Sequence, residues 1–115
     1  TTLDVSNNTA LTDLTCWSNQ LTSLDLGNNT ALTYLDCDDN QLTNLDISNN
    51  TALTGLFCGG NQLTSLDVRN GNNIDMWFAP NNNPNLTCID VDDAVWSTAN
   101  WTMIDPQHYF SENCP

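Results

Sequence analysis

The side chains able to do chemistry in this chain are mostly carboxylates and thiols. Fourteen Asp and Glu and five Cys stand against one basic residue, Arg69, and one imidazole, His108. Asp36, Asp38 and Asp39 form a dense acidic run, and clustered carboxylate oxygens are what calcium takes. The run lacks the D-x-D-x-D-G loop of a dedicated site. A solvated acidic face is therefore expected, with calcium at most an adventitious guest and no cofactor. Cys16, Cys37 and Cys58 recur every 21 residues. A zinc site needs ligands converging tetrahedrally. Regular recurrence instead places the thiols in one column, about 4.8 Å apart if their segments are neighbouring strands. These three are expected to be free, buried, small apolar residues.

Catalysis finds no footing in the remaining groups. The chain has no nucleophile–base pair, metal motif or Gly-rich phosphate loop. Glycoside hydrolysis needs a cleft and a carboxyl with a raised pKa, and outward, solvated aspartates supply neither. His108 reads as a polar residue of the C-terminal segment. The formal charge of −13 repels nucleic-acid phosphates and anionic membrane surfaces. No apolar run approaches the length of a bilayer span, about 18 residues. Nucleic acid and membrane insertion are set aside, and a protein or glycan ligand is the expectation.

The elements that position these groups come from an internal repeat. Three stretches align without gaps: LTSLDLGNNTALTYLDCDDNQ from Leu21, LTNLDISNNTALTGLFCGGNQ from Leu42 and LTSLDVRNGNNIDMWFAPNNN from Leu63. The opening TTLDVSNNTALTDLTCWSNQ is the same unit without its first residue. Each unit holds two half-repeats of the form L-x-x-L-x-L-x-x-N. The L-x-L step puts both apolar side chains on one face of a short strand. Each coil thus offers two strands, A (Leu24 to Leu26 and equivalents) and B (Leu35 to Cys37 and equivalents), and stacked coils give two narrow parallel sheets. Leu3, Leu24, Leu45 and Leu66 stack in one column, and Val5, Leu26, Ile47 and Val68 in another. Leu14, Leu35, Leu56 and Trp77 are expected to line strand B inwardly. Asn19, Asn40, Asn61 and Asn82 are expected to bond turn backbone in adjacent coils. The sequons at Asn7, Asn28 and Asn49 fall in the repeated turn, where their recurrence reads as structural.

This pattern resembles the leucine-rich-repeat family, in particular its nested 21-residue bacterial class, over residues 1 to about 91. The resemblance implies a mainly β, right-handed leucine-rich-repeat solenoid. It implies protein recognition first, carbohydrate or surface adhesion second, and an extracellular or cell-surface setting. In the fourth unit Trp77 replaces Leu and Ala79 replaces Cys. After Asn83 the repeat takes two extra residues and resumes at Leu86. Residues 92–115 then read as a C-terminal cap like that of secreted bacterial proteins of this type. A short helix with Asp92 as N-cap is expected there, with Val95, Trp96, Trp101, Ile104, Tyr109 and Phe110 covering the open end. Cys88 and Cys114 flank this cap, and an oxidising compartment would join them in a disulfide. Thr1 falls in mid-repeat, so the chain reads as a piece of a longer product. The edge of the first coil, with Leu3, Val5, Leu11 and Leu14, is expected to meet earlier repeats or a second molecule.

Comparison among the coils locates the recognition face. Outward positions of strand A are nearly uniform, with Asp4, Asp25, Asp46 and Asp67 beside Ser6, Gly27, Ser48 and Arg69. Mutual repulsion in this acidic column is expected to be eased by nearby Thr and Ser hydroxyls. Outward positions of strand B differ from coil to coil: Asp13, Thr15, Trp17; Tyr34, Asp36, Asp38; Gly55, Phe57, Gly59; Met76, Phe78, Pro80. Trp17, Tyr34, Phe57 and Phe78, with Asp36 and Asp38, are the expected ligand-binding residues, suited to a basic protein or to a sugar stacked on rings. Rows of threonine (Thr12, Thr33, Thr54; Thr22, Thr43, Thr64) are similar to ice-binding arrays. They lie beside Leu at the approach to the strands and not as an outward T-x-T, which makes ice binding the remoter reading.

Overall fold

The computed structural model describes residues 2–115. Strand B recurs as β1 (Asp13–Thr15), β2 (Tyr34–Asp36), β4 (Gly55–Phe57) and β6 (Trp77–Ala79). Strand A recurs as β3 (Asn44–Asp46), β5 (Ser65–Asp67) and β7 (Cys88–Asp90). Each set forms its own parallel sheet, in the orders β1-β2-β4-β6 and β3-β5-β7-β8, where β8 is Tyr109–Ser111. The strand A sheet begins at β3. In the preceding coil Leu24 and Leu26 are buried without entering a ladder. With strands of three residues, ladder bonds are few, and burial of the two leucines rather than pairing holds that segment.

The core lies between the two sheets and is a stack of leucine columns. Leu32, Leu35, Leu42, Leu53, Leu56 and Leu63 are fully buried. Each such side chain contributes roughly 1.5–3 kcal/mol of burial, but only because the next coil covers it. Asparagines close the turns. Asn40 accepts from the Leu21 N–H (3.0 Å) and donates to the carbonyls of Cys16 and Cys37 (3.0 and 3.1 Å). Asn61 repeats the pattern one coil on. A second column, Asn29 and Asn50, donates to Val5, Asn8, Leu26 and Asn29 carbonyls. The threonine rows are used similarly: the Thr33 and Thr54 hydroxyls donate to Thr12 and Thr33 carbonyls at 3.1 Å.

The fourth coil departs from its expected register. Gly55 pairs with Trp77, Leu56 with Phe78 and Phe57 with Ala79. Phe78 therefore fills the inward leucine slot and Trp77 points out, the reverse of the sequence expectation. The cause is one extra residue taken up before β6, where Asn73–Asp75 forms a 3-10 turn. Pro80 consequently takes the cysteine position in place of Ala79. Asn83 takes the asparagine position in place of Asn82, accepting from the Leu63 N–H and donating to Cys58 and Pro80 carbonyls. Asn82 instead adopts the left-handed backbone (φ 64°) that Ser18, Asp39 and Gly60 adopt in earlier coils.

The C-terminal segment continues the stack. Its helix α1 (Ala94–Asn100) is capped by Asp93, whose carboxylate accepts from the Trp96 N–H at 3.0 Å. Asp92, the expected cap, is engaged with the N–H groups of Gly71 and Asn73 instead. An N-cap serves the third helical residue, and that residue is Trp96 only when counted from Asp93. After the helix, β8 pairs in parallel with β7, placing Phe110 beside Ile89. Trp101 and Phe110 are buried over the last coil, and Trp96 and Ile104 pack partly against it. Val95 and Tyr109 stay exposed and do not cover it. Cys88 and Cys114 form a disulfide.

Asp105 fastens this cap. Its carboxylate accepts from the N–H groups of Asn82 and Asn83 at 2.8 and 2.9 Å. Burial alone would raise its pKa, but these bonds, attraction to His108 at 3.3 Å and a bond from Gln107 outweigh it and hold the group below the ordinary 3.8. A depressed carboxylate stabilises the fold above its unfolded pKa, and that contribution is lost as pH falls through the folded value. The melting temperature is expected to fall on acidification below about pH 4. Asp105→Asn should flatten that part of the profile, and an unchanged slope in the variant would show the contribution lies elsewhere.

Candidate binding face

The outward side of the strand B sheet is a grid with three positions per coil. Its columns run Asp13, Tyr34, Gly55, Trp77; then Thr15, Asp36, Phe57, Ala79; then Trp17, Asp38, Gly59, Asn81. The last column extends the register by the bonds Ser18 N–H to Asp38 O, Asp39 N–H to Gly59 O and Gly60 N–H to Asn81 O. Trp17, Tyr34 and Trp77 expose 55%, 37% and 65% of their surface. Phe57 is half-buried because Tyr34 leans on it, with ring centroids 5.6 Å apart. Gly55 makes room for that lean, since a Cβ there would sit 2.9 Å from the tyrosine ring. Of the expected residues, Trp17, Tyr34, Phe57, Asp36 and Asp38 share this face. Phe78 does not: it is buried against Trp101, at a centroid distance of 4.7 Å. Trp77 was hidden by the register shift, and the signal for it was the spacing Phe78–Pro80–Asn83, which repeats Leu56–Cys58–Asn61.

The acidic groups on the face are partly committed. Asp36 accepts from the Asp38 N–H at 3.1 Å, and Asp38 from the Gly59 N–H at 2.7 Å. Burial pushes the Asp38 carboxyl up, aided by Asp36 and Asp39, while the Gly59 bond works against it. Burial likewise raises the Tyr34 phenol, with Asp36, Asp38 and Asp13 adding to it. Among the described residues no three His, Cys, Asp or Glu side chains converge as a metal site would require.

On the opposite sheet the aspartate column has a backbone task. Asp4, Asp25, Asp46 and Asp67 each accept the N–H two residues ahead, at 2.8 to 3.0 Å. These turns supply the compensating dipoles, and the hydroxyls of Thr22, Ser23, Thr43, Thr64 and Ser65, expected to do so, make no bond to the column among the described residues. Ser6 also donates its hydroxyl to Asp4, the largest cause of that carboxyl's lowered pKa. Arg69 grips Asp67 through two side-chain bonds, which holds that carboxyl down as well.

Cys16, Cys37 and Cys58 form the inward column beneath strand B, all buried and free. Burial is the leading cause of raised pKa at each, and it drives Cys37 and Cys58 far above the ordinary thiol range. Since the thiolate is the reactive form, alkylation of the native protein should be slow, slowest at Cys58, and rapid after denaturation. Mass-resolved labelling checks this, and fast native modification of Cys58 would contradict it.

No protein-family model and no curated protein matches the chain. Among solved structures it is similar to the functional domain of InlJ from Listeria monocytogenes, described as including a cysteine ladder. The two are 44% identical with a TM-score of 0.68. The likeness covers 79% of this chain and 22% of that one. The fold is a leucine-rich-repeat-like solenoid. Within that solenoid, the thiol column of Cys16, Cys37 and Cys58 is a cysteine ladder by its own geometry, ending where Pro80 takes the next position. The chain spans 22% of the InlJ domain's length. Among the described residues no helix is long and apolar enough to cross a membrane.

Proposed function

We propose that this chain is a non-enzymatic binding module, working outside the cell or on its surface, that recognises a basic protein through the strand B face. The observation that carries the reading is the contrast between a repeated scaffold and one face that does not repeat. The strand A face repeats the same aspartate turn from coil to coil. The strand B face offers Trp17, Tyr34, Phe57 and Trp77 beside Asp36 and Asp38. Exposed aromatics concentrate binding energy at interfaces, and a chain of charge −13 favours a cationic partner. The disulfide and the likeness to the InlJ domain support the setting.

Trp77→Ala and Tyr34→Ala are each expected to weaken retention of the partner from a host or neighbour-cell surface fraction. The loss should be on the order of 30-fold, matching about 2 kcal/mol at an aromatic hot spot. The melting temperature should stay nearly unchanged for Trp77→Ala, whose ring is 65% exposed, and should fall slightly for Tyr34→Ala, which also gives up the ring pair with Phe57, worth about 0.5–1.5 kcal/mol. Retention indifferent to both changes would defeat the reading. Affinity electrophoresis separates the glycan alternative: retardation by one polysaccharide, abolished by the same substitutions, would move the assignment to carbohydrate binding on this face.

A further inference from the structure

A groove of about 300 Å³ opens where β6 meets α1, at the C-terminal end of the strand B face. Its walls and floor include Met76, Trp77, Phe78, Trp96, Trp101 and Met103. The floor is fixed in place. Trp101 packs edge-on against Phe78, Trp96 and Phe110, at centroid distances of 4.7, 5.5 and 5.7 Å. Its indole N–H already donates to the Met76 carbonyl at 3.1 Å, so the buried polar group there is satisfied. The rim, in contrast, is open: Trp77 and Met103 expose 65% and 50% of their surface. This is a rigid apolar slot with uncovered apolar lips. Its size sits at the lower end of ligand pockets, which run from about 300 Å³ upward. That suits a single inserted side chain.

Trp77 belongs to two features at once. It ends the column Asp13, Tyr34, Gly55, Trp77 and it forms one lip of the groove. The groove is thus the continuation of the aromatic face past the last coil. The lining itself carries no charge, and the charged residues nearest to it in sequence are acidic. Asp75 immediately precedes Met76, and Asp93 caps the helix that carries Trp96; both are exposed. The chain's one basic side chain, Arg69, is bound to Asp67 on the other sheet. A second copy of the chain is a poor occupant, because it would set a charge of −13 against −13.

We infer that the groove between β6 and α1 is an anchor pocket that receives one aliphatic or aromatic side chain from a lysine- or arginine-rich segment of a protein partner. The inference rests on the reading of strand B as a protein-binding face, and it specifies the partner's chemistry: an apolar anchor flanked by basic residues. The anchor supplies desolvation in the slot. The flanking cations meet Asp75, Asp93 and the strand B aspartates, speeding and orienting the encounter in a salt-dependent way.

The chain's two methionines both line this groove, so methyl-13C methionine spectra of the intact protein watch it and little else. The probe is a short synthetic peptide with one leucine flanked by lysines. The expected result is movement of the Met76 and Met103 methyl signals on titration. Binding should be about tenfold or more weaker for the same peptide with alanine at the centre. It should also be lost when the lysines become glutamates, and weakened by added salt. Met103→Gln, at an exposed position that the fold tolerates, should abolish the preference for leucine over alanine, as should Trp77→Ala. Methyl signals that stay still at saturating peptide, or that move equally with the leucine and alanine peptides, would overturn the inference. So would movement produced by neutral oligosaccharides and not by the peptide. A native partner lost with Tyr34→Ala yet indifferent to Met103→Gln would remove the groove while leaving the strand B reading intact. The converse pattern would remove strand B and keep the groove.

Discussion

Asn61→Ala is expected to cost about 3–5 kcal/mol of stability, because it orphans a buried N–H and removes several amide bonds at once. The side chain is 4% exposed. It accepts from the Leu42 N–H and donates to the carbonyls of Cys37, Cys58 and Gly59. The losses are not equal. The Cys37 carbonyl keeps Asn40, the Cys58 carbonyl keeps Asn83, and the Gly59 carbonyl keeps the Asp39 N–H. The Leu42 N–H keeps no partner, and a buried donor left unmade costs about 1–3 kcal/mol by itself. The balance comes from the forfeited donor bonds and the space left in the turn. Asn19 is the internal control. It occupies the same column position but is exposed and bonds only within its own turn. Asn19→Ala should therefore cost less than about 1 kcal/mol. Asn61→Asp sharpens the test, since a carboxylate still accepts from Leu42 but turns two lone pairs toward the carbonyls. It should be at least as damaging as alanine. Urea midpoints of the three variants decide the matter, and equal values for Asn19→Ala and Asn61→Ala would show that the turn bonds are not what hold the coils.

Much of this was legible because the repeat is written in residue types that do one job each. Leucine at fixed spacing marks the core wherever a coil lies on either side, and asparagine at the end of each half-repeat closes a turn; only the first coil, with Leu3 exposed, departs from the leucine rule. The column of Cys16, Cys37 and Cys58 followed from the same arithmetic. The fourth coil was not legible in the same way. Two aromatic residues stand side by side at Trp77 and Phe78, and either fits an inward slot. A gapless alignment forward from Leu63 carries Trp77 inward. Counting backward from Asn83 would have carried Phe78 inward, because the extra residue lies in the 3-10 turn before β6. One such slip moves every side chain of a strand to the other face, and it exchanged a buried ring for an exposed one. The last strand, β8, escaped for a different reason. It repeats the 21-residue interval from β7, Cys88 to Tyr109, but Gln107 and Glu112 stand where Leu86 and Val91 stand one interval earlier, leaving Phe110 alone to mark the motif, and the helix has replaced the preceding half-repeat. The aspartate column was legible as uniform, and uniformity does mean structure; its bonds to the N–H two residues ahead need φ and ψ to be seen.

Removing the Cys88–Cys114 bond is expected to destabilise the cap by about 3–4 kcal/mol, taking the loop-entropy account for a closed loop of this length. The two cysteines are 26 residues apart in sequence and 5.9 Å apart between Cα atoms. The magnitude assumes that the tail is free without the link, and the structure shows what resists that. The Cys114 N–H donates to Asp90 at 2.7 Å, Arg69 donates to the Glu112 carbonyl at 3.2 Å, and the Glu112 carboxylate accepts from Ala94 at 3.1 Å. These are polar bonds at a solvated edge, each worth a fraction of the covalent constraint. The reduced chain should therefore keep its cap folded but let it open more often. Opening uncovers Phe78, which packs against Trp101, and Ile89, which pairs with Phe110. In a solenoid each coil leans on its neighbours, so the weakening should fade with distance from the cap. Hydrogen exchange in a Cys88→Ser, Cys114→Ser protein should accelerate most at β8 and β7, less at β5 and β6, and least at β1 and β2. Acceleration of equal size in every strand would mean that the coils unfold as one unit, and that the cap's staple stabilises the whole column at once.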